Sequence, residues 1–210
     1  MDVAQSRLAL AFPLPDLSSP DFYPLDVLAL LAGRGKASRL YQELREEQKL
    51  VYSISTYSYT PLYPGLFVIR ARCEPEKIGA VREAILEILD DYKETPVSEQ
   101  ELERARARVI SGHLNSLTTV EGKAGDLGSN LRTAGDPAFY RTYLKGIASV
   151  TAADLRKTAA RYFRRSNLTE AVILPPVSET SPTPVPETSR IEIEKFKLDN
   201  GLTVLIREDH

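Results

Sequence analysis

The sequence has one cysteine, no tryptophan, one methionine and two histidines in 210 residues. A single cysteine, Cys73, forbids an internal disulfide framework but leaves the compartment open. Charge of one sign is also missing. Lys and Arg number 27 against 29 Asp and Glu, for a net charge of −2. A basic surface for nucleic acid is therefore not expected. No apolar run approaches the roughly 20 residues that span a bilayer, so no membrane segment is expected. Met1-Asp2-Val3 leads into a polar start, with no sign of a secretory leader. What remains is an ordinary apolar content of 42% in a chain long enough to bury a core.

Hydrophobic periodicity orders the chain. "QSRLALAFPLP" (Gln5–Pro15) alternates as a strand ended by prolines. In "DFYPLDVLALLAG" Asp21 stands where an N-cap belongs, and Gly33 follows the apolar run as a C′ glycine. "GKASRLYQELREEQKL" reads as a second helix. Leu40, Tyr41 and Leu44 form one face, while Glu43, Arg45, Glu46, Glu47 and Lys49 form the wet one. "VYSISTYSYTPLYPGLFVIRARCEP" then breaks into two strand-like runs around Pro61–Gly65, a hairpin.

Long helices follow. Ile78, Val81, Ile85, Ile88, Leu89 and Tyr92 recur at helical spacing. Ser98 with Glu101 makes a capping box at the head of the next helix. Shorter helices fall near 120–134, 137–147 and 151–163, the last capped by Thr151 with Asp154. "LTEAVILPP" offers one more strand. Residues 175–189 are rich in Pro, Ser and Thr and read as a stiff linker. Beyond them two alternating runs flank Asp199-Asn200-Gly201, a hairpin turn. Two strands alone are marginal in water, so this end reads as the truncated start of a further domain. The expected organisation is an α+β domain over 1–174, with an antiparallel sheet packed on one face by helices, a linker over 175–189, and a hairpin over 190–210. The open edges of that hairpin would leave it disordered, docked, or paired with a neighbouring copy as a dimer.

Few residues offer chemistry. A catalytic zinc site usually takes three protein ligands, and only His113 and His210 are present, in different segments and without H-x-x-E-H. His113 lies mid-helix and reads as packing or surface. "GRGKAS" (Gly33–Ser38) has Leu30 where a phosphate loop needs glycine, and it joins helix to helix. Cys73 ends a strand with no histidine nearby and reads as structural. The corner "SRLYQELREEQKLVYSIS" (Ser38–Ser55) is left. Arg45 carries a fork of donors and Tyr52 a phenolic donor, and together they could bind a carbonyl oxygen on which charge develops. From spacing alone, a solvated Arg and a half-buried Tyr are the more ordinary explanation of the corner.

"GRGKASRLYQELREEQKLVYSIS" resembles the second domain of the insulinase/pitrilysin family of zinc metallopeptidases, with its Gly-rich turn, S-R-L-Y-x-x-L-R-E and L-x-Y-S. "DFYPLDVLALLAG", "VSEQELERARARVISG" and "TAADLRKTAARYF" are similar to further helices of that domain, so the resemblance covers residues 5–174. Lys49 departs from it, since many relatives have glycine there. "FKLDNGLTVLIREDH" resembles the opening strands of the family's first domain, which can carry H-x-x-E-H further on. The resemblance implies two halves that close around a peptide. One half binds zinc, and the other supplies an Arg and a Tyr seven residues apart, the spacing of Arg45 and Tyr52. It implies zinc in the parent protein and no metal or cofactor in this chain. The implied partners are a peptide or protein substrate and a zinc-bearing half or subunit. Some members of this fold have lost proteolysis and serve as scaffold or partner subunits, an alternative left open here. The compartment is also open, cytoplasmic or periplasmic.

Overall fold

A computed structural model describes residues 5–61, 63–176, 194–197 and 203–206. The chain divides into two compact units between Pro175 and Pro176.

The first unit is built on a four-stranded antiparallel sheet in the order β2-β3-β1-β4. β1 (Ser6–Leu14) pairs along its whole length with β3 (Gly65–Cys73), from Ser6↔Cys73 to Leu14↔Gly65. β2 (Ser53–Tyr59) flanks β3, with Ser53 opposite Arg72. β4 (Thr169–Ile173) flanks β1, with Arg7 opposite Ile173. Successive side chains on a strand point to opposite faces. Leu8, Leu10, Phe12, Leu14, Ile54, Phe67, Ile69, Ala71 and Cys73 are accordingly buried on one face.

Helices cover that face. α1 (Phe22–Gly33) is buried almost all round, as its largely apolar sequence, broken by Asp26, requires. α2 (Ile78–Glu94) buries Val81, Ile85, Ile88, Leu89 and Tyr92, the stripe its spacing predicts, with Ile78 at the margin. α3 (Glu99–Ser116), α4 (Val120–Ala134), α5 (Phe139–Ser149) and α6 (Ala152–Tyr162) follow. Phe163, just past α6, sets its ring 5.4 Å from Phe12 and 4.7 Å from Phe67, tying the last helix to the sheet. The α+β class, with helices on one face of an antiparallel sheet, is as the sequence reads.

Local signals are met in part. At α6 both halves of the capping box form between Thr151 and Asp154. At α3 only Ser98 performs its half, accepting from the Glu101 amide at 3.3 Å, because the Glu101 carboxylate is drawn to Arg39. Asp21 occupies the N-cap of α1 without capping it. Its carboxylate accepts instead from Arg161 and Tyr162, 140 and 141 residues away. Gly33 is not the left-handed residue after α1. It is the last helical residue, and Gly35 takes the positive φ of 96°. Gly33 is required for another reason: a Cβ there would sit 2.5 Å from the Thr56 methyl on β2.

In the second unit β5 (Glu194–Lys197) and β6 (Thr203–Ile206) pair antiparallel, with Lys197 opposite Thr203. The turn at Asp199–Gly201 and the linker from 177 on lie outside the described residues.

Candidate functional site

The corner between Ser38 and Ser55 departs from its expected form. Tyr41–Glu47 is a π-helix, not an α-helix. Its exit is marked by the Gln48 amide, which reaches five residues back to the Glu43 carbonyl at 2.8 Å. π-Helical turns are rare and are frequent at functional sites. Leu40 and Leu44 are fully buried and fix the segment to the core. The Leu50 and Val51 amides both return to the Leu44 carbonyl, and the Tyr52 amide then donates to the Arg72 carbonyl at 2.7 Å. Between these bonds the chain must reverse sharply. Lys49 does so at φ 53°, the only non-glycine with positive φ among the described residues. Glycine takes this conformation without strain, which explains physically why a glycine suits position 49.

This geometry sets both candidate side chains. Arg45 Nη1 donates to the Val51 carbonyl at 3.2 Å and also to the Tyr52 carbonyl. The guanidinium is thereby held at the backbone of the residue it is paired with in sequence. Tyr52 is 44% exposed, and its hydroxyl donates to Glu74 Oε1 at 3.1 Å. Glu74 also pairs with Lys77 at 3.0 Å. The bonds from Lys77 and Tyr52 hold the Glu74 carboxyl below its usual range. The same Glu74 bond raises the Tyr52 phenol above its usual value, so it stays protonated and a donor. Tyr52 lines a recess of about 30 Å³ with Lys49, Leu50, Val51, Glu74 and Lys77. Arg45 and Tyr52 thus share one corner, joined through the Tyr52 carbonyl. Glu74, which engages the hydroxyl, has no motif of its own and was invisible in sequence.

Arg39, in the same motif, is committed to the fold. It bonds Asp91 at 2.6 Å and Glu101 at 3.2 Å, and lies 4.4 Å from the Tyr92 ring centre. His113 stacks on Tyr140 and has Asp126 Oδ1 at 3.5 Å. Cys73 is buried, and burial raises its thiol above the usual value. Among the described residues no three His, Cys, Asp or Glu side chains come together as a group that could hold a metal ion. No helix among them is long and apolar enough to cross a membrane.

The opposite face of the sheet holds a second feature. Arg7, Ala9, Ser53, Ser55, Arg70, Arg72, Ala171 and Ile173 line a recess of about 620 Å³. Arg72 Nε donates to Ser53 Oγ at 2.8 Å, and Arg70 Nη2 to the Tyr57 hydroxyl at 2.8 Å. Sequence reasoning missed these arginines, although Arg70-x-Arg72 opposite Ser53-x-Ser55 was open to the same alternation that placed the strands.

The sequence model of the Peptidase M16 inactive domain matches residues 1–109, and the chain belongs to that family. A Rickettsia bellii protein described as an uncharacterized zinc protease is 29% identical over 175 residues, which are 83% of this chain and 42% of that protein. The chain therefore spans about two fifths of the length of such curated relatives. Among solved structures, a protease from Helicobacter pylori superposes with TM-score 0.76 at 22% identity, over 82% of this chain and 42% of that one. The inactive peptidase domain of a Bordetella parapertussis protein does so with TM-score 0.72 at 24% identity, over 81% of this chain and 93% of that one. These two likenesses are likenesses of fold.

Proposed function

We propose that this chain forms part of the substrate chamber of a zinc metalloendopeptidase, with Arg45 and Tyr52 binding the carbonyl oxygen of a peptide. The reading is carried by one observation: a π-helix and a left-handed Lys49 hold the Arg45 guanidinium against the backbone of Tyr52, which stands exposed. The bonds to Val51 and Tyr52 use Nη1 alone, and a guanidinium has five N–H donors. Tyr52 would turn its single hydroxyl proton from Glu74 to the substrate oxygen. Arg45 does not line the recess beside Tyr52, so the two donors would meet one oxygen only once substrate draws them together, and they would then favour the state in which that oxygen carries most negative charge. The metal belongs to another part of the parent protein or to a partner subunit, and this chain's part is to bind and orient the carbonyl.

The test is made in the full-length parent. Arg45→Ala and Tyr52→Phe are each expected to lower kcat by about 100-fold, the scale of losing one such donor, with a smaller change in KM. An unchanged kcat overturns the assignment. It would favour a scaffold or assembly domain of the same fold, for which one observation already speaks. Both side chains find partners within their own chain, as a purely structural corner would arrange.

A further inference from the structure

The open sheet face carries positive charge that the fold does not neutralise. Arg39, Arg82, Arg106, Arg161 and Arg165 each meet a carboxylate. Among the described residues Arg7, Arg70 and Arg72 meet none, as is true of several other surface arginines. What sets these three apart is that they stand together on one sheet face, where the strand positions pointing the same way include no Asp or Glu. Their placement is specific. Arg7 and Arg72 stand directly opposite each other on neighbouring strands, and like charges in that relation destabilise a sheet. Arg70 lies two residues from Arg72 on the same strand and the same face. Ser53 and Tyr57 hold the Arg72 and Arg70 heads along the surface. Ala9, Ala171 and Ile173 add an apolar margin.

We propose that this face binds a carboxylate-rich peptide segment in extended form. Arg70 and Arg72 are spaced at the strand repeat, roughly 6.7 Å for alternate residues, which is also the repeat of side chains on one side of an extended peptide. Glu or Asp at alternate positions therefore meets successive guanidiniums, and the Arg7–Arg72 pair can share one carboxylate between two forks. Nucleic acid fits less well. Single strands are held by bases stacked on aromatic rings, and the Tyr57 ring is covered by Arg70, 5.0 Å from its centre. The proposal rests on the reading that the chain lines a peptide chamber, and it names the class of peptide that chamber favours.

The experiment uses the chain itself and measures binding, not turnover, so its outcome is separate from the fate of Arg45 and Tyr52. A labelled ten-residue peptide with Glu at alternate positions is compared by fluorescence anisotropy with its Gln counterpart. The Glu peptide is expected to bind about tenfold more tightly at low salt, as two or three partly exposed ion pairs allow, and to lose that advantage at high salt. The triple variant Arg7→Gln, Arg70→Gln, Arg72→Gln should abolish the difference, and Arg156→Gln, at an exposed arginine on α6 away from the sheet face, should preserve it. Arg7→Gln alone, at the arginine not bonded to Ser53 or Tyr57, should reduce it without disturbing the sheet. Equal binding of the two peptides overturns the proposal, as does an unchanged affinity of the triple variant. So does binding of a single-stranded oligonucleotide or inorganic phosphate where the Glu peptide fails. Self-association that the triple variant removes, with no peptide binding, would replace the peptide by a second copy and also overturn it.

Discussion

The two faces of the four-stranded sheet come from the same strands and share nothing else. On β3, Phe67, Ile69, Ala71 and Cys73 point to the helices and are buried, while Arg70 and Arg72, interleaved with them, point away and are exposed. β1 repeats the contrast with Leu8, Leu10 and Phe12 against Arg7. One face is filled by α1, α2 and α6, and its side chains are chosen by shape. The other is not filled by this unit's helices, and its side chains are free to be chosen by charge. The difference teaches where stability ends and recognition begins, within a single strand.

Substitutions can break or sharpen that contrast, each read by urea unfolding of the chain. The largest effect is expected on the covered face. Phe67→Ala should cost about 3–5 kcal/mol, since it removes a fully buried ring 4.7 Å from Phe163 and leaves a cavity. Gly33→Ala probes a close helix-to-sheet approach on the same side. Its new Cβ meets the Thr56 methyl at 2.5 Å, and Thr56 cannot easily yield because its hydroxyl bonds the Ala29 carbonyl. A loss of about 1–3 kcal/mol is expected from this overpacking. Arg72→Gln, on the open face, should stay within about 0.5 kcal/mol of the parent. A loss at Arg72 comparable to that at Phe67 would show that the open face also carries the fold, and the contrast would fail.

The corner at Arg45 and Tyr52 shows how far local sequence reaches. The positions of the helix, the strand and the wet face were legible, because periodicity reports which side of a segment meets the core. The π-helix was not. Its register depends on where Leu40 and Leu44 must sit in the core and on how the segment meets β2, which is information held by other segments. The two capping motifs make the same point. Thr151 and Asp154 complete their box because nothing competes for the carboxylate, whereas Glu101 is claimed by Arg39, 62 residues away in sequence. Asp21 is similarly claimed by α6.

By itself the sequence determined the α+β class, the strand alternation, the stripe of α2 and the seven-residue spacing from Arg45 to Tyr52. These follow from short-range physics: period-two and period-3.6 burial, caps, and turn residues. Tertiary structure alone decided that Gly33 is small because Thr56 crosses it, that Lys49 turns left-handed, and that Glu74 engages the Tyr52 hydroxyl. It also decided that Arg7, Arg70 and Arg72 gather on one face, since strand order and register join residues that the chain places more than sixty positions apart.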